Sequence, residues 1–406
     1  MGWPGLEAGG DALSSRSSLV LVAVGVAAFV VAFSSGAREA NAYPQFQFSS
    51  GTQRCAQCHY APAGFGLLTS WGRDEGADTI SRGGDGAFLH GLWTPPAWLA
   101  LGGDFRAAAI RNEAGSSGPP EVAVFPMQAD GYARVGFGDS GISVYVAGGF
   151  RGTTRPGTGS DSMAAHLESV ISREHYVMWK PSATGAYVRA GRFYAPYGLR
   201  VAEHIYYIRS VTGFNLYEET YNVSGGYLAE DWELHVTGFT PPPNSLPLPL
   251  RSTATGSGAA AYGERRFNSM AALALQARVS LNKDQTLIQG GAVGKLWLDR
   301  PRILFMGELD LQRRSTTGGN GSNQMVGYLG PTFFPVKGVM ASLGLERYQE
   351  DLRISSTAHT AVDLQVNYFL WAHCEIILLG RYQMNGTGLA DGPADSLGML
   401  QLHYYL

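Results

Sequence analysis

Residues 359–370 read HTAVDLQVNYFL, and apolar and polar side chains alternate along this stretch. Such alternation is typical of a β-strand, because successive side chains of a strand point to opposite faces of the sheet. One face would carry Val362, Leu364, Val366, Tyr368 and Leu370. The other would carry His359, Asp363, Gln365 and Asn367. The second face is too polar for a dry core, so the stretch predicts a strand with one apolar and one polar face.

The same pattern recurs from Trp98 to the end of the chain, in segments of roughly 10 to 15 residues separated by Gly, Pro, Asn and Asp. Ranges 267–281 and 302–314 show it most clearly. The strands of a soluble β-sandwich also alternate between apolar and polar side chains. Alternation alone therefore does not show whether the apolar face meets a protein core or lipid. An N-terminal leader, aromatic residues near the strand ends and the last strand favour an outer-membrane barrel.

In the last strand, one face carries Gly398, Leu400, Leu402, Tyr404 and Leu406. This pattern resembles the C-terminal assembly signal of bacterial outer-membrane proteins, although those more often end in Phe. The interpretation places the protein in the outer membrane of a Gram-negative bacterium, with its apolar faces against lipid.

The alternating segments give a count of strands that can be checked against known barrels. Candidate strands lie at 98–112, 121–138, 141–152, 169–180, 185–194, 219–229, 231–240, 267–281, 285–298, 302–314, 323–334, 337–349, 359–370, 373–385 and 395–406. This number is odd, whereas bacterial single-chain barrels have an even number. Long and short connections alternate up to 241–266 and then alternate in the opposite phase. We therefore predict a further strand inside 241–266 and an antiparallel barrel of about 16 strands, wide enough for an aqueous lumen unless something fills it.

The N-terminus reads as a secretory signal, because an apolar run from Leu19 to Phe33 follows Arg16 and leads to Ala40-Asn41-Ala42. We expect residues 1–42 to be removed. No later segment has the apolar length of a transmembrane helix. A net charge of −3, with 16% charged residues, argues against a nucleic-acid partner.

Residues 55–59 read CAQCH, the Cys-x-x-Cys-His sequence that attaches c-type haem. Cys55 and Cys58 would bind the porphyrin covalently and His59 would ligate the iron. A short disulfide that happens to precede a histidine is the alternative. The chain has three cysteines and nine histidines, so a chance match is improbable, and no second Cys-x-x-Cys completes a zinc site. We therefore predict a monohaem cytochrome c-like domain over 43–95 and a porin-like barrel over 96–406.

The second axial ligand of the iron is less well defined. No methionine occurs between His59 and Met127, so His90 is the candidate if the haem domain supplies its own ligand. His90 could equally be a surface residue. His204, His235 and His373 in the barrel are competitors, and an open coordination position is a further alternative.

Several other residues have a functional and a structural interpretation. The carboxylates Glu308, Asp310, Asp363 and Glu375 could offer oxygen ligands to an ion such as Fe²⁺, or could simply line a wet pore. Cys374 shares a face with apolar residues, and we expect no redox role. The polar face of 359–370 predicts that Gln365→Arg is tolerated, whereas Leu364→Arg on the lipid face is not.

The surroundings of the haem motif carry a family resemblance. They include Tyr43-Pro44-Gln45-Phe46, Pro62, Gly64, Gly66-Leu67-Leu68-Thr69 and Trp71-Gly72-Arg73. Together with the leader and the barrel, these resemble the fused monohaem c-type cytochrome–porins of the outer membrane, whose best understood members oxidise iron. Gly191-Arg192-Phe193, Pro196-Tyr197-Gly198-Leu199-Arg200 and Glu203-His204 look like a segment of related porin-like proteins.

The resemblance implies electron transfer across the outer membrane through one haem c, with Fe²⁺ as an extracellular donor and periplasmic c-type cytochromes as partners. The haem domain has the right size to act as a plug that holds the haem inside the lumen. A domain of about 50 residues is roughly 25 Å across, and the apolar belt of a barrel is about 25 Å tall. Two alternatives remain: a solute channel with a structural or gating haem plug, and a haem enzyme or gas sensor.

Overall fold

A computed structural model describes residues 43–49, 53–113, 121–151, 170–215, 217–247, 250, 252–319, 321–386 and 395–406. Its main feature is a closed barrel of 16 antiparallel strands in which each strand pairs with its neighbours in sequence. The strands are β1 Leu99–Glu113, β2 Glu121–Gly136, β3 Ile142–Arg151, β4 Val170–Trp179, β5 Gly185–Phe193, β6 Thr220–Leu228, β7 Trp232–Thr240, β8 Ser257–Phe267, β9 Ala271–Leu281, β10 Gln285–Leu298, β11 Ile303–Thr316, β12 Ser322–Val336, β13 Val339–Gln349, β14 Ala358–Trp371, β15 Cys374–Asn385 and β16 Asp395–Tyr405. Pairing of β16 with β1, from Asp104 opposite Tyr405 to Glu113 opposite Ser396, closes the sheet.

The predicted number of strands is confirmed, and the strand expected inside 241–266 is β8. Its sequence SGAAAYGERRF contains mainly small residues in its first half, so it carries little apolar signal of its own. The next predicted strand began too early. Phe267 ends β8, a turn with Asn268 and Ser269 at positive φ follows, and β9 begins at Ala271.

The two predicted faces of the strands are also confirmed. Leu273 and Leu275 on β9 are 52% and 67% exposed on the outside of the barrel. On β14, Leu364 is exposed, whereas Asp363 and Gln365 on either side of it are buried in the interior. A continuous outer surface of this kind suits lipid, because soluble proteins rarely expose large apolar patches.

The two ends of the barrel differ in their connections. One end, here called the turn end, carries short connections such as 337–338 and 372–373, together with the start of β1 and the end of β16. The opposite loop end carries longer connections, among them 194–219 and 241–256. Residues 1–42, which we expect to be a secretory signal, lie outside the described part of the chain.

Two segments occupy the lumen. The first, called the plug, comprises residues 43–49 and 53–95 and contains helices α1 Cys55–Cys58 and α2 Ser70–Glu75, the latter continued by a π-helical turn Gly76–Ile80. The second, called the inner loop, comprises 194–215 and 217–219 and contains the one-turn helix α3 Tyr207–Ser210. None of the helices in the described ranges is long and apolar enough to cross a bilayer.

Both segments pack against the inner wall of the barrel. The ring of Phe46 in the plug lies 5.5 Å from the rings of Phe334 and Phe369. Tyr206 in the inner loop stacks on Tyr328 of β12, with ring centroids 5.5 Å apart. The barrel therefore has a core built from wall, plug and inner loop together.

This packing corrects the expectation that Gln365→Arg is tolerated. The Gln365 side chain is 2% exposed, and its Nε2 donates to Glu203 in the inner loop at 2.7 Å and to Asn367 at 2.9 Å. A longer cationic side chain would displace the inner loop, because enlarging a buried side chain forces its neighbours to move.

A pair of leucine variants tests the lipid-facing surface. Leu364→Arg, at mid-strand on the outer face, should cost about 2–4 kcal/mol of barrel stability and reduce the heat-modifiable form on a gel. Leu352→Arg is a matched control, because Leu352 is similarly exposed, at 43%, but lies in the β13–β14 connection at the loop end. Equal assembly of both variants would contradict a lipid-facing belt.

Candidate haem site in the barrel lumen

The two cysteines of the haem motif lie on the single turn of α1. Cys55 and Cys58 are three residues apart in this turn, so both thiols are on the same side of the helix. His59 follows directly and leaves the helix to form a β-bridge with Leu68. The motif thus presents two thiols and an imidazole from one short, fixed segment.

Helix α2 holds this segment in place. Thr69 caps α2, because its Oγ1 accepts from the backbone N–H of Gly72 at 3.1 Å, and the same hydroxyl donates to the carbonyl of Gln57 at 2.7 Å. The N–H of Thr69 donates to the carbonyl of Cys58 at 2.9 Å. At Gly72, a Cβ atom would lie 2.3 Å from the Cys58 carbonyl oxygen. Only glycine permits this approach of the two helices.

Gly64 performs a similar role on the other side of the motif. Its φ of +85° lies in the left-handed region, and a Cβ there would lie 3.3 Å from Cβ of Cys55 and 3.9 Å from Cδ2 of His59. The turn at Gly64 therefore brings backbone against the motif without filling the space in front of it.

The motif faces a cavity of about 700 Å³ inside the lumen, lined by Cys55, Cys58 and His59 together with the wall and the inner loop. Cofactor and ligand sites have volumes of roughly 300–1,000 Å³. Inward-facing apolar side chains of four adjacent strands form part of its wall: Ile110, Phe125, Met127, Ile377, Leu379, Leu397 and Met399. Such side chains are unusual on the inner face of an aqueous pore, but they suit the flat apolar surface of a porphyrin.

Cationic side chains of the inner loop complete the cavity. Arg209 donates to the carbonyls of Phe214 at 3.1 Å, Val201 at 2.9 Å and Ala202. Arg200 lies over the ring of Tyr262, 4.8 Å from its centroid, and its Nη2 is 3.9 Å from a carboxylate oxygen of Glu233.

The charge of Arg200 affects the pKa of a thiol in the haem motif. Burial raises the pKa of the Cys55 thiol, and the Arg200 guanidinium is the largest opposing influence on that pKa. Arg200 and Arg209 are the cations of the inner loop that would pair with the two carboxylates of a haem, because charge-assisted bonds to carboxylates are the strongest available to guanidinium.

The predicted distal ligand His90 does not lie at this cavity. It is exposed at the turn end, where its Nε2 is 3.1 Å from the hydroxyl of Tyr404 and its ring centroid is 4.7 Å from that of His373. His235 is also elsewhere, with its Nδ1 2.6 Å from the hydroxyl of Tyr187. Of the predicted competitors, His204 in the inner loop lines the cavity.

The structure also brings to the cavity three Met and His side chains that the sequence analysis did not consider as iron ligands. These are Met127, Met399 and His403. His403 is engaged, since its Nδ1 lies 2.7 Å from a carboxylate oxygen of Glu375. The alternation of β16 places Met399 and His403 on the inward face, which was a usable signal. Their proximity to the motif depends on barrel closure and could not be seen in the sequence.

The lumen carboxylates have a structural role. Glu308 accepts from the N–H of Leu199 at 2.6 Å, and Asp310 accepts from the hydroxyl of Tyr197 at 2.7 Å, so both hold the inner loop. Asp363 pairs with Arg381 at 3.0 Å. In the described ranges, no group of three or more His, Cys, Asp or Glu side chains is placed to hold a metal ion.

Glu375 and Gln47 attach the plug to the wall. Glu375 accepts from the hydroxyl of Tyr43 at 2.7 Å. The amide of Gln47 donates to Glu264 at 2.8 Å and accepts from Nζ of Lys295 at 2.6 Å. The plug is thus joined to the barrel by buried polar bonds on two sides.

Comparisons with known proteins identify the fold. No protein-family model and no curated protein matches the chain. Among solved structures it is similar to OmpT of Vibrio cholerae, with a TM-score of 0.55 and 11% identity over 77% of this chain and 99% of that one. OprB of Pseudomonas putida gives a TM-score of 0.56 and 10% identity, covering 76% and 94%. An anion-selective porin from Comamonas acidovorans gives 0.53 and 10%, covering 76% and 99%. The chain therefore has the fold of the bacterial outer-membrane porins.

Two glycine variants test the geometry of the motif. Gly64→Ala should cost about 1–2 kcal/mol for placing a Cβ in the left-handed region, and the displaced turn should lower the amount of haem attached per folded barrel. Gly83→Ala is the control, because nothing lies within 4 Å of a Cβ built there and its φ is ordinary. Haem staining of the folded band measures both, and equal staining would contradict the role given to Gly64.

Proposed function

We propose that this protein transfers electrons across the outer membrane through one c-type haem held covalently inside its barrel. The observation that carries the proposal is the lumen cavity that Cys55, Cys58 and His59 all line. Cys55 and Cys58 would hold the porphyrin, His59 would be one axial ligand, and Arg200 and Arg209 would pair with the carboxylates. When bound, the haem supplies a one-electron couple whose potential depends on its ligands and burial.

The position of the cavity supports transfer from one side to the other. Along β1 it extends from Gly103, near the turn end, to Ile110, near the loop end, which is roughly 20 Å of strand. Along β16 it extends from Leu397 to Leu406. A cofactor in this cavity would lie within reach of both aqueous phases, while the plug and inner loop occupy the path that a solute would take.

Location and partners follow from the same features. The leucine-rich outer surface, the leader and the porin fold support the outer membrane, with lipid around the barrel and the turn end in the periplasm. The resemblance of residues 43–73 to cytochrome–porins suggests periplasmic c-type cytochromes as partners on that side. At the loop end it suggests an extracellular donor or acceptor, with Fe²⁺ as donor.

A solute channel with a haem plug is the second candidate function. It is favoured by the likeness to proteins described as an anion-selective porin and, in Acinetobacter baumannii, as the outer-membrane channel DcaP, the latter with a TM-score of 0.53 and 12% identity over 77% of this chain and 99% of that chain. In that case the plug would move, and liposomes carrying the protein would swell in a permeant sugar.

The first experiment addresses the haem itself. Because thioether bonds survive denaturation, the wild-type protein should keep its peroxidase-active stain on a denaturing gel, and Cys58→Ala should lose correct attachment. Cys374→Ala is the matched control, since Cys374 is on β15 and does not line the cavity. Extraction of unaltered haem from the wild type by acid acetone would overturn the proposal.

The second experiment addresses conduction. Proteoliposomes should let an external reductant grafted to dextran, too large for a porin lumen, reduce an encapsulated acceptor. His59→Ala should lose most of this transfer, while His359→Ala, at the loop end of β14, should retain it. Swelling assays on the same vesicles separate the two functions. If wild-type vesicles swell and His59→Ala does not affect the reduction of the encapsulated acceptor, the protein is an open channel and the haem has no conducting role.

A further inference from the structure

A second depression, of about 530 Å³, opens at the turn end of the barrel. On the plug side it is lined by Gln57 and Trp71, and on the barrel side by Gly141 in the β2–β3 connection and by residues 180–183 in the β4–β5 connection. His59 lines this depression as well as the lumen cavity. His59 therefore lies between the candidate haem site and the turn-end surface.

The depression is cationic. Arg54, Arg134 and Lys180 line it, and in the described ranges no Asp or Glu does. Arg54 is 3.3 Å from the carboxylate of Glu230, whose side chain is largely exposed beside the depression. The Arg134 guanidinium lies over the ring of Tyr60, 4.6 Å from its centroid, rather than beside a carboxylate. The site thus attracts negative charge.

The charges in the depression also act on one another. Burial, as the largest cause, and the neighbouring Arg54 and Arg134 guanidiniums together lower the pKa of Lys180 to about 8. Lys180 is still mainly protonated at neutral pH. Like charges held this close cost free energy in the isolated protein, and an anionic partner would relieve that cost.

The rim adds an apolar contact. Trp71 on α2 is 51% exposed at the edge of the depression. An exposed tryptophan beside arginine and lysine has the composition of a protein interface, where aromatic side chains supply contact area and the charges steer encounter. A small anion would use the cations but would have no need of the indole.

We propose that this depression is the docking surface for a soluble one-electron redox protein with an acidic face, which exchanges electrons with the haem through the edge of His59. The inference rests on the proposed function. One electron moves between the partner's centre and the iron, in either direction, and no bond or proton is transferred at the interface. Docking at the turn end places the partner on the side of the short turns, which is the periplasmic side in outer-membrane barrels.

Flavodoxin, an acidic one-electron flavoprotein, is a suitable probe. Its reduced form is mixed with the purified oxidised protein in detergent, and haem reduction is followed by stopped-flow absorption at low ionic strength. The double variant Arg134→Glu/Lys180→Glu should lower the second-order rate constant about tenfold or more, and added salt should remove most of the difference. Lys283→Glu is the control, because Lys283 is exposed at the loop end. An unchanged rate in the double variant would overturn the proposal.

Trp71→Ala separates a protein partner from a small anion. It should lower the rate with flavodoxin but leave reduction by dithionite unchanged, with an unaltered haem spectrum as the check on folding. Equal rates of wild type and Trp71→Ala with flavodoxin would overturn docking of a protein.

The binding of flavodoxin is also measured by calorimetry on Cys55→Ser/Cys58→Ser, which carries no covalent haem. Absence of a haem spectrum in the wild type would contradict the proposed function. Flavodoxin binding that does not depend on the charges of Arg134 and Lys180 would contradict the docking surface alone.

Discussion

Closure of the sheet between β1 and β16 is the constraint on which the rest of the structure depends. Inside a bilayer no water is available to unpaired backbone groups, so every strand must have two neighbours. Closure in turn fixes which side chains face lipid and which face the lumen. Gln365 and Leu364 are adjacent in the chain, yet one packs against the inner loop and the other belongs to the outer belt. The alternation of apolar and polar side chains along residues 359–370 follows directly from this constraint.

The polar inner face serves here as a scaffold. Glu264 and Lys295 bind the plug through Gln47, and Glu308 binds the inner loop through the N–H of Leu199. Buried polar groups that are fully bonded fix a unique arrangement, because each would be costly to leave without its partner. The cavity in front of His59 is the space left between two inserts that are held in this way. Its shape is therefore set by the wall as much as by the haem motif.

Local pattern predicted the barrel, the number of strands and the place of the weak strand β8, because alternation and connection length are properties of neighbouring residues. It also identified the motif at 55–59. It could not foresee contacts between residues that are distant in the chain. His90 was the natural candidate by separation along the chain, but the turn at Phe88–Gly91 places it against Tyr404 at the rim. Met127 and Met399 are far apart in sequence and come to one cavity only because β1, between β2 and β16, closes the sheet. The sequence analysis expected an aqueous lumen unless something filled it, and it did not place the inner loop there.

The burial of the motif has a consequence for the order of assembly. Cys58 is 2% exposed and His59 is 7% exposed, within a plug that is bonded to the finished wall on two sides. An attachment enzyme needs both thiols and the porphyrin edge together, and no macromolecule of that size can enter the closed lumen. A haem bound to these thiols must be in place before β16 pairs with β1. The maturation of the cofactor and the insertion of the barrel would then be successive steps in the life of one chain.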